Sequence, residues 1–268
     1  MLSGGLRTKN INTPPITIIT VVRNGEETLE ATILSVINQT YSNIEYIIID
    51  GASTDGTVDI IKKYEGKIDY WISEPDKGVY DAMNKGIFRT EGGWINFLNS
   101  GDTFYNNNVI NDIFANDLNE VDVVYGDLVI SIENFKTIKR SLPPKKENIQ
   151  TLCHQTIFVR TEVQKKYFFD LQYQIASDYD SLLKMYADNK IFKLLPIIVV
   201  DYSGDGISNL FQEKAIKEIF NIDRKNGLFI SQRKERQVIL IIRIKSFLKR
   251  ILPKQIVNKI RKIKFQLT

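Results

Sequence analysis

Carboxylate side chains stand where strand-like segments of this sequence end, and carboxylates at such positions can bind ligands. Asp50 closes a run of apolar residues, Asp76 lies in the next polar loop, and Asp102 follows another apolar run. A carboxylate can accept a hydrogen bond from a nucleobase or a hydroxyl, take up a proton, or bind a hard divalent cation. For Asp50 the alternative is a local role, as the acceptor of an Asx turn or a helix cap.

Further candidates lie in the second half of the sequence. Asp178 and Asp180 fall at the start of a helical segment, where carboxylates also interact favourably with the helix dipole. His154, the sole histidine, precedes another apolar run and is either a ligand contact or a structural hydrogen-bond donor. Residues 204–206 have the composition of a mobile loop that closes on a ligand, and equally that of a simple turn.

The spacing of apolar residues predicts the elements that position these side chains. The first half alternates strand, helix, strand, helix, which favours an α/β fold with a mostly parallel sheet and helices on both faces. Ligands of such sheets bind beyond the carboxyl ends of the strands, where the three acidic loops fall. The predicted strands are residues 16–22, 44–50, 70–72, 94–98, 123–130, 156–159 and 197–201, and the predicted helices are 29–37, 57–64, 79–88, 108–115, 178–188 and 212–225.

The composition excludes several classes of protein. The 268 residues are 43% apolar and 25% charged, as in a globular chain with one main domain and an appendage. Residues 233–268 carry 12 Lys or Arg and one acidic residue, whereas residues 1–232 carry 24 basic and 31 acidic residues. An acidic body argues against nucleic-acid binding. The single Cys153 excludes an internal disulfide, and with no signal peptide or long apolar span we expect a cytoplasmic protein.

Four sequence blocks resemble the family 2 glycosyltransferases of the GT-A fold, in family order over about residues 14–130. They are TVVRN followed by Glu27, DGASTDGT from Asp50, EPDKGVYDAMNKG from Glu74, and NSGD from Asn99. The resemblance implies that the first half binds a nucleotide sugar, most often a uridine nucleotide, and that the second half binds the acceptor. It also implies transfer with inversion, in the assembly of a bacterial-type surface polysaccharide or glycolipid.

The resemblance assigns roles to residues of the first half. Asp50 matches the residue that reads the base, and Asp102 matches the last carboxylate of the Asp-X-Asp element, which holds Mg²⁺ or Mn²⁺ against the diphosphate. Asn99 and Gly101 replace the acidic residues of that element. Glu27 either contacts the ligand or forms a capping box with Asn24. The predicted nucleotide-sugar contacts are Thr20, Val22, Asn24, Glu27, Asp50, Ser53, Asp76, Lys77, Gly78, Asn84, Ser100 and Gly101.

In the second half, Ser177-Asp178 resembles the family's Glu-Asp element, with Ser177 in the Glu place. The resemblance implies that Asp178 is the catalytic base that takes the proton of the acceptor hydroxyl. Asp180 is then a supporting residue or the alternative base. His154 is a further supporting candidate, which can contact the acceptor, the diphosphate or the ion.

The expected organisation is an N-terminal extension over residues 1–13, a GT-A-like catalytic domain over 14–232, and a basic tail over 233–268. The domain divides into a nucleotide-binding half, 14–130, and an acceptor half, 131–232. In the tail, apolar residues at helical spacing alternate with lysines and arginines on both sides of Pro253, which predicts two short amphipathic helices. We expect them to bind the inner face of the cell membrane, next to a saccharide or lipid-linked acceptor; docking on the acidic body is the alternative.

Three other functions fit less well. A sugar-phosphate nucleotidyltransferase shares the strand order, but residues 23–27, RNGEE, lack its Gly-rich loop with Arg and Lys. A membrane-bound scaffold without turnover fits the departures at Asn99 and Gly101. A dinucleotide oxidoreductase is disfavoured because no Gly-x-Gly-x-x-Gly follows the first strand.

Overall fold

A ten-stranded sheet forms the centre of the computed structural model, which describes residues 1–5, 16–132, 135–203, 211–228 and 231–251. The strands are β1 (Leu2–Gly4), β2 (Ile16–Val22), β3 (Ile44–Asp50), β4 (Tyr70–Ser73), β5 (Trp94–Phe97), β6 (Thr103–Phe104), β7 (Val123–Ile132), β8 (Phe135–Lys139), β9 (Ile157–Arg160) and β10 (Phe192–Tyr202). Their order in the sheet is β1-β4-β3-β2-β5-β9-β7-β10-β6, and β8 pairs with β7.

The central strands run mostly parallel, as expected. β4, β3, β2 and β5 pair in parallel, and so do β7 and β10. Because β9 is antiparallel to both β5 and β7, six of the seven strands from β4 to β10 in the sheet order point the same way. The carboxyl ends of β2, β3, β4 and β5 therefore meet at one edge. The loops that hold Asp50, Asp76 and Asp102 leave the sheet at this edge.

Helices cover both faces of the first half of the sheet. The helices are α1 (Leu29–Ile37), α2 (Thr57–Lys63), α3 (Val79–Arg89), α4 (Val109–Phe114), α5 (Thr161–Gln164), α6 (Ser177–Ala187), α7 (Gln212–Lys225) and α8 (Gln232–Ile251). Side chains of β2 alternate between two cores: Ile16 and Ile18 pack with α1, α2 and α4 on one face, while Ile19 and Val21 pack with α3 on the other. A third core holds α6 and α7 against β7 and β9.

The sequence-based elements agree with these bounds except at the edges of the sheet. The six predicted helices end within about one residue of the observed ends. β1, β6, β8 and α5 were not predicted, and β10 begins at Phe192 rather than at residue 197. β1 lies in the expected N-terminal extension, where it pairs antiparallel with β4.

One long helix, α8, follows α7 in place of the first short helix predicted for the tail. Two ion pairs join α8 to α7: Arg224 to Glu235 and Arg243 to Glu213, each at 2.7 Å. The second predicted tail helix lies outside the described residues. No helix in the described part of the chain, which includes α8, is long and apolar enough to cross a bilayer.

Candidate active site

Side-chain hydrogen bonds tie the loop after β2 to the loop after β3. The N–H of Asn24 donates to Ser53 Oγ at 2.7 Å, and Asn24 Oδ1 accepts from Thr54 N–H at 2.9 Å. Asn24 has a φ of 51°, a left-handed conformation that asparagine adopts more readily than most residues. The capping box predicted for Asn24 and Glu27 is therefore wrong: α1 begins only at Leu29, and Asn24 joins two loops instead.

Asp50 is fully buried at the end of β3 and organises the loop that follows. Its Oδ1 accepts from Ser53 Oγ, while its Oδ2 accepts from Ser53 N–H at 3.0 Å and from Ser73 Oγ at 2.5 Å. This is the local turn role that the sequence left open. With three donors from the protein and no exposed surface, this carboxylate holds the turn in place. Through Ser53, Asp50 also fixes Asn24 and hence the shape of both loops.

The third loop, residues 74–78, turns around Asp76. Asp76 Oδ1 accepts from the N–H of Gly78 at 2.9 Å. Asp76 Oδ2 lies only 2.3 Å from where a Cβ on Gly51 would be, so a side chain at 51 would displace this carboxylate. Gly78 has a φ of 121°, a conformation that favours glycine. Asp76 therefore lies beside Gly51 of the second loop.

The two lysines of this region differ in what they contact. Lys85 is paired with Glu74 at 2.8 Å and donates to the carbonyl oxygen of Pro75 at 2.8 Å. Lys77 is exposed, and its backbone N–H donates to Asp81 Oδ2 at 3.0 Å. Glu27 is exposed too. Of the two lysines, Lys77 is the one whose ammonium is open to a phosphate.

Three of the predicted donor contacts are occupied within the protein. Thr20 is fully buried and its hydroxyl donates to the carbonyl oxygen of Leu98 at 2.8 Å. Val22 is a buried core residue. The amide of Asn84 both donates to Phe169 O at 2.9 Å and accepts from Phe169 N–H at 3.0 Å. A donor contact through the side chain of Thr20 or Asn84 would require these bonds to break.

The fourth loop, residues 98–102, is anchored on α1. The hydroxyls of Ser100 and Thr28 lie 3.0 Å apart. Thr32 Oγ1 accepts from the N–H of Gly101 at 3.0 Å and donates to the carbonyl oxygen of Asp102 at 2.8 Å. Gly101 has a φ of 99°, where any other residue would be strained. The turn itself thus accounts for a glycine in place of an acidic residue.

Asp102 is 5% exposed, and both of its oxygens accept hydrogen bonds. Oδ2 accepts from Gln155 Nε2 at 2.8 Å, and Oδ1 accepts from Ser203 N–H at 3.3 Å. Burial raises the pKa of Asp102 above its usual value, and the hydrogen bonds oppose that shift only in part. A desolvated carboxylate with spare acceptor sites is a favourable ligand for a divalent cation.

The surroundings of Asp102 fit a cation that takes most of its ligands from elsewhere. Among the residues that the structure describes, no group of three or more His, Cys, Asp or Glu side chains is placed to hold a metal ion. Mg²⁺ commonly binds through one or two carboxylates and completes its shell with water and substrate phosphates. Asp102 as the lone protein carboxylate is compatible with that pattern.

Asp178 is held by hydrogen bonds at both carboxylate oxygens. Tyr80 OH lies 2.8 Å from Oδ1, and His154 Nδ1 lies 3.0 Å from Oδ2. Burial acts to raise the pKa of Asp178, but the hydrogen bonds from His154 and Tyr80 oppose it, and the net effect is a pKa below the usual value. Asp178 is therefore ionised and fixed in orientation at neutral pH, two properties that a general base needs.

The partner of the other imidazole nitrogen assigns the tautomer of His154. Nε2 lies 3.2 Å from the amide nitrogen of Asn99; with the Asn99 amide in this orientation, Nε2 accepts and Nδ1 carries the proton. The proton on Nδ1 then points at Asp178. Asn99, His154 and Asp178 thus form one chain of hydrogen bonds from the fourth loop to α6.

Asp180 has a different environment from Asp178. It is 3% exposed and is paired with Lys184 at 2.6 Å. Two residues along a helix correspond to a rotation of about 200°, so the two carboxylates project to different sides. These contacts favour Asp178 over Asp180 as the base.

Glu218 on α7 supports the start of α6. Its carboxylate accepts from the backbone N–H groups of Gln174, Ile175 and Ala176 at 3.0, 2.8 and 3.0 Å. The carbonyl oxygen of Ile175 lies 2.7 Å from Tyr80 OH and shares its single hydroxyl proton with Asp178 Oδ1. The segment just before Asp178 is therefore held from two sides, by α7 and by α3.

Sequence reasoning missed three residues of this site: Tyr80, Gln155 and Glu218. Tyr80 lies inside the third block and Gln155 follows His154, so position gave a signal for these two. Glu218 lies in an ordinary amphipathic helix and gave none. The predicted loop at residues 204–206 lies outside the described residues.

Comparisons with known proteins identify the family to which this chain belongs. The model of glycosyl transferase family 2 matches residues 17–192. A PGL/p-HBAD biosynthesis glycosyltransferase of Mycobacterium bovis is 28% identical over 243 residues, which cover 86% of this chain and 90% of the relative.

Two solved structures share the fold. S. aureus TarS 1–349 in complex with UDP-GlcNAc gives a TM-score of 0.64 at 19% identity, covering 84% of this chain and 70% of that one. The mannosyltransferase PcManGT from Pyrobaculum calidifontis, in complex with GDP-Man and Mn²⁺, gives 0.63 at 14% identity, covering 81% and 65%. The GT-A fold expected from the sequence is confirmed.

Proposed function

Because this chain belongs to glycosyl transferase family 2 and is a glycosyltransferase of glycan biosynthesis, we propose that it is a metal-dependent, inverting enzyme. Its substrates would be a nucleotide sugar and a hydroxyl of a saccharide or lipid-linked acceptor. The proposal is carried by the hydrogen bonds of two adjacent residues. His154 contacts Asp178, the proposed base, and Gln155 contacts Asp102, the proposed metal ligand.

The first three loops are the proposed donor site. They lie at the carboxyl ends of β2, β3 and β4, where ligands of open α/β sheets bind. Asp76 lines the pocket for the base and ribose, and Lys77 faces the diphosphate. Asp50 is buried beneath its loop, so a direct contact with the base would require that loop to open. A uridine nucleotide is the donor we propose, a choice supported by the UDP-GlcNAc complex of TarS, which shares the fold.

The reaction would be a single displacement. The acceptor oxygen attacks the anomeric carbon, its proton passes to the carboxylate of Asp178, and the bond from the anomeric carbon to the diphosphate oxygen breaks. Attack from the side opposite the leaving group inverts the configuration. Tyr80 and His154 keep the Asp178 carboxylate aimed at the acceptor hydroxyl during this step.

Asp102 would hold Mg²⁺ or Mn²⁺ between the fourth loop and the diphosphate. A divalent ion bound there screens the negative charge that develops on the leaving nucleotide. Gln155 and Ser203 orient the carboxylate for this contact. The Mn²⁺ in the complex of PcManGT, which has the same fold, supports the choice of cation.

The exposed face of α8 supports a membrane location. Leu240, Ile241, Ile244, Phe247, Leu248 and Ile251 are 41–62% exposed. At about 100° per residue they form one stripe, and Arg243 and Lys245 fall roughly 100° to either side of its centre. Apolar residues flanked by cations are typical of helices that lie in the interface of an anionic membrane. We propose that residues 233–268 bring the enzyme to the cytoplasmic face of the membrane, next to its acceptor.

Thermal stabilisation by nucleotide sugars tests the proposal. Melting curves would be recorded with UDP- and GDP-sugars, each with and without Mn²⁺. We expect one donor class to raise the melting temperature, with a larger shift when Mn²⁺ is present. Release of pyrophosphate from a nucleoside triphosphate and a sugar phosphate would instead identify a nucleotidyltransferase. Donor binding without transfer or hydrolysis would identify a scaffold.

A further inference from the structure

One short turn contacts both carboxylates of the proposed reaction. Residues His154–Thr156 form a 3₁₀ turn just before β9. We propose that His154 and Gln155 are a pair of positioning residues that fix the separation between Asp178 and Asp102. This inference rests on the proposed function, because it takes Asp178 as the base and Asp102 as the metal ligand.

The neighbours of Gln155 fix the orientation of its side-chain amide. Gln155 is buried, and its Oε1 accepts from Cys153 Sγ at 2.7 Å. Burial raises the pKa of the Cys153 thiol to about 12, so this thiol stays protonated and acts as the donor. The amide nitrogen of Gln155 must then face Asp102, to which it donates at 2.8 Å. A buried donor that is fixed from behind holds a carboxylate in one position.

The turn is also attached to the strand that carries Asp102. The backbone carbonyl oxygen of Gln155 accepts from Asn96 Nδ2 at 2.9 Å, and Asn96 lies in β5. His154 Nε2 contacts Asn99, three residues before Asp102. The turn therefore moves with β5 and the fourth loop, and through His154 it holds the first turn of α6 in the same frame.

The chemistry needs this frame because a displacement at the anomeric carbon places the base and the leaving group on opposite sides of the sugar. A misplacement of about 1 Å can cost roughly a hundredfold in rate. Asp102 follows β5 and Asp178 opens α6, so the two carboxylates belong to different parts of the chain. Adjacent residues of one turn give them a common support.

Substitutions of His154 test its half of the pair. An asparagine amide nitrogen takes roughly the place of Nδ1 and can still donate to Asp178, whereas a glutamine amide nitrogen takes roughly the place of Nε2 and faces Asn99. We expect His154→Gln to slow transfer by about tenfold or more, and His154→Asn to recover most of the parent rate. Both variants should bind UDP with Mn²⁺ as the parent does.

Substitution of Gln155 tests the other half. Gln155→Met keeps the side-chain length and removes the contact to Asp102. We expect the gain in UDP affinity caused by Mn²⁺ to fall about 10–100-fold, as is usual when the support of a metal ligand is lost. Gln164→Met is the matched control, because Gln164 is 2% exposed and donates at 2.9 Å to a backbone carbonyl oxygen, that of Tyr167, rather than to a carboxylate. If Gln155→Met does not fold, the shorter Gln155→Asn replaces it.

Three results would contradict the positioning roles of His154 and Gln155. Equal losses of transfer in His154→Asn and His154→Gln would overturn the inference, and so would a Gln155 variant whose Mn²⁺ response matches that of Gln164→Met. A parallel loss of both readouts in all variants would also overturn it, because the turn would then support the fold alone. Failure of the proposed function looks different: Asp102→Asn would keep its Mn²⁺ response, or Asp178→Asn would transfer normally.

Discussion

Replacing Asp178 with asparagine removes the proposed base and keeps the size of the side chain. An asparagine is uncharged and offers one carbonyl oxygen where the carboxylate offers two, so one of the contacts to Tyr80 and His154 loses its acceptor and the other is no longer charge-assisted. Hydrogen bonds to charged groups contribute about 1.5–3 kcal/mol. Because the side chains of Asp178 and His154 are each 22% exposed, we expect a cost near the lower end of that range. The variant should therefore remain folded.

The expected effect on catalysis is much larger than the effect on stability. A general base contributes about 10²–10⁴ in rate, which corresponds to about 3–5 kcal/mol of barrier. We expect Asp178→Asn to bind UDP with Mn²⁺ as the parent does and to transfer sugar at least about a hundredfold more slowly at saturating donor. Initial rates of transfer and calorimetric titration with UDP measure the two quantities separately.

Asp180→Asn is the matched control, because it makes the same change two residues along the same helix. Asp180 is paired with Lys184 and is not linked to His154 in the way that Asp178 is. Near-normal transfer by Asp178→Asn, with a collapse in Asp180→Asn, would move the base to residue 180. Normal transfer by both variants would refute the assignment of a base to this helix.

Three other changes have defined outcomes. Asp102→Asn should abolish the Mn²⁺ response of UDP binding. Burial raises the pKa of Asp102, so its ionised form lowers the stability of the parent above that pKa; the melting temperature of the ligand-free parent should therefore rise relative to that of Asp102→Asn as the pH falls through the folded-state pKa, and a difference that does not change with pH would contradict this expectation. Glu218→Gln should lower kcat about tenfold at unchanged donor KM, because the N–H groups before Asp178 lose a charged acceptor; an unchanged kcat would show that Glu218 supports the fold only. Phe247→Glu should reduce sedimentation with anionic vesicles about tenfold, whereas Ser246→Glu, off the stripe, should not; equal losses would exclude the stripe as the membrane contact.

The elements that carry the donor loops could be predicted because each has a local signal. β2 and β3 are rich in isoleucine and valine and are followed directly by polar residues, and the apolar residues of α1 and α3 repeat at helical spacing. All seven residues of β2 are buried, so the strand lacks the polar and apolar alternation of a half-exposed strand. A parallel sheet then places the loops after these strands at one edge, which is why Asp50, Asp76 and Asp102 could be grouped from the sequence.

The contacts between the two halves could not be predicted in the same way. Tyr80 and Asp178 are 98 positions apart, and Gln155 and Asp102 are 53 apart. No spacing rule links residues at such distances, since the pairing depends on how β9 inserts antiparallel between β5 and β7. The failed capping box has a related cause: Asn24 satisfies the local rule for a cap, but the loop after β3 offers it better partners.

The departures from the family's acidic element at Asn99 and Gly101 favour an active enzyme over a scaffold. Gly101 has a φ of 99°, which an acidic residue would adopt only under strain. Asn99 donates to His154 Nε2 and so keeps the imidazole proton on Nδ1, where it faces Asp178. An acid at residue 99 could only accept, so it would draw the proton to Nε2 or add a second one to the ring. Moving the proton would remove the donor that faces Asp178, and adding one would change the charge beside the base, whereas asparagine leaves the Nδ1–H group in place to orient Asp178.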